Sequence, residues 1–325
     1  SLTLTEDAMS MMNCAIFFHK SKNRTEPPRV PNAYGKISLC ATDRTNSHDK
    51  LWVLLRSLSR GVLELPFALP SDTPQLPFWS GYNSTLSEVR TEYSVVSYPP
   101  IIDSKPSDMS TVFTTMKKCL DMTKSIGQDH AIQTFDQQLY AIAQQVKWAL
   151  PTTFDCHVLR MGGFHTLSCF IAAIGKLWGD GGLRDLLVDS SVYAAATEDQ
   201  MLCGKQFNRA VRGLTLVYEA LCSLWFGAFF RWLNDKIEKF PENTLTLFST
   251  FMSMFQAGKT VEAKHFAEVK VFFETNILPL TEEFRIWGCE NSPTFMFWNM
   301  FLEAIEILLQ NVRSEREGNW SLHLS

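Results

Sequence analysis

The feature that most limits the possible folds is a change of hydropathy pattern near residue 182. Between about residues 95 and 180, short apolar runs typical of strands alternate with stretches whose apolar residues recur at helical spacing. Past Gly182 the pattern is helical almost throughout. Since strands alternating with helices favour parallel pairing, we expect a mixed sheet with parallel strands. The sequence therefore predicts an α/β core over residues 76–182 and a large all-α region over residues 183–325.

The elements of the predicted core can be placed individually. Its strands are predicted in "EYSVVSYPPIID", "HAIQTF" and "DCHVLRMGGF". Its helices are predicted in "SDMSTVFTTMKKCLDMTKSIG", "QQLYAIAQQVKW" and "HTLSCFIAAIGKLWG". The two prolines of the first strand place it at a sheet edge or a strand end. Residues 1–75 are predicted to form a mixed N-terminal or linker region with one helix.

Charge limits the partners that the chain can attract. The net charge of −4 gives no general attraction to nucleic acid, so DNA binding would need a local basic face. One candidate is "GKQFNRAVRG", where Lys205, Arg209 and Arg212 recur at helical spacing. These cations are either a strip that faces phosphates or an ordinary solvated helix face.

Cysteine usage and hydropathy indicate the compartment. The eight cysteines form no CxxC pair and no zinc-finger spacing, which is typical of reduced thiols in the nucleus or cytoplasm. The most apolar run, "LCSLWFGAFFRWL", contains Arg231 and is too short to cross a bilayer, so we expect no membrane partner. The chain starts without Met and stops within ordered-looking sequence, which predicts a fragment of a longer protein.

Polar groups follow each of the three predicted strands. Asp103 ends "PPIID", Asp136 ends "IQTFD" and His165 ends "MGGFH". Because the carboxyl ends of parallel strands meet at one edge of a sheet, we expect these side chains to share a pocket. Carboxylates and an imidazole suit Mg²⁺ or Mn²⁺. Such ions can drive phosphoryl transfer.

Each of these residues also has a purely structural interpretation. Asp136 directly precedes a helical pattern, and Asp is a preferred N-cap residue. Asp103 precedes the turn-like stretch "SKPSD", where Asp is common. His165 could cap a helix or lie at the edge of the core. The sequence leaves both interpretations open.

Several blocks resemble a large uncharacterised protein family that occurs in many copies in invertebrate genomes, as mobile elements do. The blocks are "QTFDQQLYAIAQQVKW", "RMGGFHTLSCFIAAIGKLWG", "MLCGKQFNRAVRGL" and "NVRSEREGNWSLHLS", and the resemblance covers residues 75–325 approximately. It implies an origin in a mobile element. It implies no activity, because that family has none established.

The layout of "FDQQLYA … GGFH" is similar to the "YD-x-A-C … P-x-F-H" blocks of Kyakuja-Dileera-Zisupton transposases. Those enzymes have a ribonuclease H-like core that is interrupted by a helical insertion. The resemblance implies that Asp136 is the catalytic Asp at the fourth strand and that His165 follows the fifth. It also implies that a closing helix, residues 295–314, supplies the last carboxylate from Glu303 or Glu306.

The sequence departs from the transposase pattern at the first strand. The corresponding segment, "LPFWSGYNSTL", contains no Asp, and Asn83 is the nearest substitute. A neutral amide is a much weaker metal ligand than a carboxylate. The implied site is therefore either degenerate or uses Asp103 instead.

The resulting hypothesis is a transposon-derived protein that carries out metal-dependent phosphoryl transfer on DNA, as a nuclease or transposase does. Asp136 and Asp103 would bind the ion, and His165 would orient water or phosphate. A first alternative is a non-catalytic ribonuclease H-like scaffold that binds protein or nucleic acid; the acidic net charge and the missing first Asp favour it. A second alternative is an α/β enzyme that acts on a small molecule.

Overall fold

Helices dominate the protein, and its strands are few and short. A computed structural model describes residues 16–18, 40–61, 73–86, 95–236 and 243–324, and within these ranges the strands form two separate two-stranded sheets. The predicted α/β core with a ribonuclease H-like mixed sheet is therefore wrong. The reason lies in two segments predicted as strands: "LPFWSGYNSTL" contributes to a helix, and the described part of "EYSVVSYPPIID", residues 95–103, has three strand residues before its prolines.

The elements are numbered in chain order. The strands are β1 (Ile16–Phe18), β2 (Val95–Ser97), β3 (Ala131–Phe135) and β4 (His157–Met161). The earlier helices are α1 (Cys40–Ser59), α2 (Trp79–Leu86), α3 (Met109–Ser125), α4 (Gln137–Ala149), α5 (Pro151–Phe154) and α6 (Gly163–Trp178). The later helices are α7 (Arg184–Asp189), α8 (Ala195–Leu202), α9 (Phe207–Asp235), α10 (Thr244–Gln256), α11 (Ala263–Phe272), α12 (Leu278–Asn291), α13 (Pro293–Glu317) and α14 (Trp320–Leu324). The π-helical turns are Gly179–Leu183, between α6 and α7, and Phe273–Ile277, between α11 and α12.

The chain divides into two compact units. Of the described residues, the first unit contains 16–18 and 95–169. The second unit contains 40–61, 73–86 and the described chain from Phe170 onward, and so includes α1 and α2. The boundary falls inside α6. The three-part division predicted at residues 75 and 182 is a different partition, and it stays a prediction.

The first unit is built around one strand–helix–strand element. β3 and β4 pair in parallel, with Phe135 opposite Met161, and α4 and α5 connect them. Side chains of β3 alternate between buried and exposed, as expected for a strand with one covered face. The covered face packs on α3 and α4, whose apolar stripes were visible as helical periodicity. The predicted strand "HAIQTF" and the helices on either side of it are confirmed.

The second unit consists of helices alone in its described part. α9 is its central helix and contacts α1, α8, α12 and α13. An aromatic cluster fills the space between α9 and α12: the Trp225 and Phe284 rings lie 4.8 Å apart, and those of Phe229 and Phe284 lie 5.8 Å apart. These contacts explain why the chain is rich in Phe and Trp, because a helical core of this kind is packed by large side chains.

α9 is long and apolar enough to span a membrane by length and composition, although the sequence pattern predicts only a shorter apolar run there. Of its most apolar 18-residue window, 67% is buried within the protein. Such burial is typical of a core helix. The expectation that the chain has no membrane partner, and that it lies in the nucleus or cytoplasm, stays a prediction.

Candidate functional site

Asp136 acts as the N-cap of α4. Its Oδ1 atom accepts a hydrogen bond from the backbone N–H of Leu139 at 2.7 Å. Its backbone is extended, with φ −65° and ψ 173°, while the next residue is helical. Both features define an N-cap. The structural interpretation of Asp136 is thus confirmed, and its role as a metal ligand stays a prediction.

The structure places His165 on the neighbouring strand end. The backbone N–H of Gly162 donates to the Phe135 carbonyl at 2.8 Å, so the chain leaving β4 runs beside the end of β3. His165 follows in the first turn of α6 and is half-buried. Asp136 and His165 therefore lie at the same edge of the two-stranded parallel sheet, as the strand pattern predicts.

Asp103 does not belong to this edge. β2 ends at Ser97 and pairs antiparallel with β1 in the other sheet, and an irregular exposed segment follows it up to Asp103. The prediction that Asp103 ends a third parallel strand is wrong, because the prolines at positions 99 and 100 stop the strand early.

A metal centre needs several convergent ligands. Within the described ranges, no group of three His, Cys, Asp or Glu side chains converges on a common point. Asp103 and Asp136 follow strands of two different sheets, so no common sheet edge brings their side chains together. The described residues thus offer no ready cluster of ligands for the Mg²⁺ or Mn²⁺ ion implied by the transposase resemblance, and metal binding stays a prediction.

Lys205, Arg209 and Arg212 lie just before α9 and in its first two turns. All three side chains are exposed. None forms an ion pair with another residue in the described part of the chain. The positive end of the α9 dipole adds to their charge. Both interpretations of these cations, a phosphate-facing strip and a solvated face, are compatible with this placement, and DNA binding stays a prediction.

Glu303 and Glu306 on α13 line a cleft in the second unit. α1, α9, α12, α13 and the π-helical turn at Phe273 form its walls, and they enclose a cavity of about 60 Å³ that opens to solvent. The sequence pattern places both carboxylates on the solvated face of α13, but Glu306 is only partly exposed. The polar residues that line the cleft are Lys50, Tyr218, Cys222, Thr281, Glu282, Arg285, Asn299, Glu303 and Glu306.

Most charged groups of the cleft have partners within it. Arg285 donates to both carboxylate oxygens of Glu282, at 2.8 and 2.6 Å. Glu303 accepts from Asn299 Nδ2 at 2.8 Å, and its Oε1 lies 3.5 Å from Arg285 Nη1. Glu306 accepts from the Tyr218 hydroxyl at 3.2 Å. These contacts link α9, α12 and α13 at the cleft.

Lys50 is the exception among the charged groups. Its half-buried side chain lines the cleft, but its ammonium forms no hydrogen bond or ion pair with any residue in the described ranges. A cation in a partly desolvated site is stabilised by an anionic partner. The cleft therefore offers one positive group whose hydrogen-bonding capacity is unused.

Burial shifts Glu306, Tyr218 and Cys222 toward their protonated forms, whereas the hydrogen bonds from Arg285 lower the pKa of Glu282. Burial raises the pKa of the Glu306 carboxyl, and the positive charge of Lys50 opposes this shift. Burial also raises the pKa values of Tyr218 and Cys222 well above their ordinary values. Cys222 is therefore a thiol rather than a thiolate nucleophile. Groups with shifted pKa values in a cleft are typical of functional sites.

Two buried ion pairs hold the cleft walls together. Asp49, the residue before Lys50, accepts from Arg313 Nη2 on α13 at 2.6 Å and from Trp79 Nε1 at 2.7 Å. Glu219, the residue after Tyr218, lies 2.9 Å from Arg56 Nε on α1. These contacts fix α1 against α9 and α13. They determine where Lys50 and Tyr218 lie.

A family model described as a domain of unknown function, DUF8702, matches residues 78–325. The chain belongs to the DUF8702 family. No curated protein and no solved structure matches the chain. The DUF8702 description assigns no activity, so the mobile-element origin and the transposase similarity stay predictions.

The DUF8702 match includes the cleft residues of α9, α12 and α13, whereas Lys50 and Val53 precede it. Sequence reasoning missed Lys50, Tyr218 and Arg285 as site residues. The signal for two of them was a polar residue beside an apolar run, as in "DKLWVLL" and "LTLVYEALC". Buried polar groups within apolar helices need partners, so such positions indicate an internal polar site.

Proposed function

We propose that this DUF8702 protein binds a small molecule in the cleft between α1, α9, α12 and α13. A cleft with apolar walls and a few convergent polar groups is the usual form of a ligand site. The observation that carries the proposal is Lys50. Its ammonium forms no hydrogen bond or ion pair with a described residue, while Arg285 bonds Glu282, Asn299 bonds Glu303 and Tyr218 bonds Glu306.

This proposal differs from the hypothesis of metal-dependent phosphoryl transfer on DNA. That hypothesis depends on a sheet edge that gathers carboxylates, and the two-stranded sheet supplies only Asp136 and His165. Since Asp136 is engaged as a helix cap, it has a sufficient structural role. Among the described residues that directly follow β3 and β4, Asp136 is the only carboxylate. The cleft therefore favours small-molecule binding, which the second alternative assigned to an α/β enzyme.

A fragment screen with two matched variants tests the proposal. Lys50→Trp fills the cleft with a large side chain, and Lys259→Trp makes the same change at an exposed lysine of the second unit. The library contains carboxylates, amines, phosphates and neutral aromatic compounds in equal numbers. We expect fragments that raise the thermal midpoint of the wild type and of Lys259→Trp but not that of Lys50→Trp.

The proposal fails if no class of fragment binds the wild type, or if every binding fragment binds Lys50→Trp equally well. Circular dichroism of both variants establishes that each is folded before it is screened. Binding is then confirmed by calorimetry, which gives the stoichiometry expected for one cleft per chain.

A further inference from the structure

We infer that the ligand of the cleft is a small organic monocarboxylate with an apolar body. This inference rests on the proposed function, because it names the chemical class that the same cleft would select. It follows from the pairing of charges along the walls, from the hydrogen-bond donors that remain and from the apolar lining.

The ion pairs and hydrogen bonds along the cleft walls favour a ligand with a negative charge. Glu282 is occupied by two hydrogen bonds from Arg285, and Glu303 by Asn299 and Arg285. An ammonium ligand would have to compete with these partners. Lys50 acts on Glu306 and Glu282 through its charge but forms no hydrogen bond or ion pair in the described part of the chain, so an anionic group can approach it without breaking a hydrogen bond.

Glu306 favours a carboxylate for a second reason. Burial raises its pKa, so its protonated form is more accessible than that of an ordinary carboxyl group. A protonated carboxyl can donate a hydrogen bond to an acceptor oxygen. A ligand carboxylate near Lys50 would thus meet one cationic donor, and a second, neutral donor when Glu306 is protonated. In the absence of ligand, Glu306 accepts a hydrogen bond from the Tyr218 hydroxyl at 3.2 Å.

The number of available cations limits the charge of the ligand. A phosphate monoester carries nearly two negative charges at neutral pH. Arg285, the other cation in the cleft lining, is already shared between Glu282 and Glu303. With Lys50 alone available, one negative charge is matched and a second is not. A monoanion is therefore favoured over a phosphate.

The apolar residues of the cleft walls determine what the uncharged part of the ligand should be. Val53, Trp225, Phe226, Phe273 and Leu302 line the cleft beside the polar groups. An aromatic or branched aliphatic body would bury apolar surface against them, which is favourable in proportion to the area buried. A cavity of about 60 Å³ is smaller than the roughly 150 Å³ that encloses a benzene ring, so a compact ligand such as phenylacetate would extend into the open mouth, and a nucleotide is too large.

Four probes of one size separate the ligand classes: phenylacetate, phenethylamine, 2-phenylethanol and phenyl phosphate. Calorimetric titration of each into the wild type should show that phenylacetate binds most tightly. In Lys50→Met its dissociation constant should rise at least about tenfold, since a charge-assisted hydrogen bond is lost. Lys259→Met, which removes an exposed ammonium, should leave it unchanged.

The outcomes distinguish this inference from the proposed function. If phenethylamine or phenyl phosphate binds in the cleft and phenylacetate does not, the ligand class is wrong but the cleft is still a binding site. Equal binding of phenylacetate to the wild type and to Lys50→Met would also overturn the ligand class. If the fragment screen yields no ligand sensitive to Lys50→Trp, both the ligand class and the proposed function are wrong.

Discussion

The Arg313 guanidinium donates through Nη2 to Oδ1 of Asp49 over 2.6 Å, although the two residues are 264 positions apart in the sequence. Both side chains are almost fully buried, with 4% and 0% of their surface exposed. Arg313 also donates to the side chain of Asn83, the nearest substitute for the first Asp of the transposase pattern. This ion pair joins α1, α2 and α13 and holds Lys50 at the cleft.

Breaking this ion pair should strongly destabilise the second unit. Arg313→Leu leaves Asp49 buried without its cationic partner, and the loss in free energy of unfolding is expected to be about 3–5 kcal/mol. Arg316→Leu is the matched control, because Arg316 is exposed and lies over the Trp79 ring at 5.9 Å. An exposed cation–π contact is worth about 0.5–1 kcal/mol. Urea denaturation measures both losses, and equal losses would contradict the structural role of the pair.

Asp136 should behave as a helix cap in stability measurements. Asp136→Ala removes the acceptor of the Leu139 N–H and is expected to cost about 1 kcal/mol of stability. Asp136→Ser keeps a capping oxygen and should retain most of that stability. Asp103→Ala, at an exposed position, serves as the control and should change little. A capping role would be refuted if Asp136→Ala and Asp103→Ala had the same midpoint in urea.

His48 should make the second unit sensitive to acid. Burial lowers the pKa of His48 from 6.5 to about 3, and the positive charges of Lys270 and Arg313 add to this shift. The folded state therefore binds fewer protons than the unfolded state between these two pH values. The stability that His48 contributes is present above pH 6.5 and is lost as the pH falls toward 3.

Replacing His48 with Phe removes this contribution. Between pH 7 and pH 5, the wild type should lose about 2 kcal/mol more stability than His48→Phe, at about 1.36 kcal/mol per pKa unit. His130→Phe changes an exposed histidine and should keep the pH dependence of the wild type. Urea denaturation at the two pH values gives the difference. Parallel pH dependence in the wild type and His48→Phe would show that His48 is not buried in its neutral form.

A close helix contact makes Gly175 sensitive to substitution. A Cβ atom at Gly175 would overlap the backbone carbonyl of Leu202, whereas one at Gly179 would lie 3.7 Å from the nearest Leu202 atom. Gly175→Ala is therefore expected to lower the free energy of unfolding by about 1–3 kcal/mol through overpacking. Gly179→Ala should be tolerated much better. Thermal denaturation of both variants checks the prediction, and a smaller effect at Gly175 would contradict the packing of α6 against α8.

The sequence predicted the local elements of the first unit because their signals are local. β3 alternates between buried and exposed residues, and α4 carries its apolar stripe directly after a capping Asp. Both patterns lie within about a dozen residues. The predicted mixed sheet failed because its additional strands depended on pairing between distant segments, which hydropathy does not encode. Trp79–Leu86 is helical in the structure, where the transposase similarity implied a strand.

The cleft was not predictable from spacing for the same reason. Lys50, Tyr218, Arg285 and Glu306 lie on four different helices, and tertiary packing alone brings them together. Glu303 and Glu306 were selected for a metal site, whereas the structure places them in a cleft that also contains a lysine and an arginine. The sequence identified these two carboxylates as candidate site residues. The chemistry assigned to them depended on neighbouring residues that the sequence does not reveal.

A crystal structure of the protein soaked with 4-bromobenzoate tests the central claim most directly, because bromine can be located by its anomalous scattering. We expect one strong anomalous peak in the cleft, beside the Trp225 ring, with the carboxylate within hydrogen-bond distance of Lys50 Nζ. A well-ordered cleft without a bromine peak, or a carboxylate directed away from Lys50, would contradict the account.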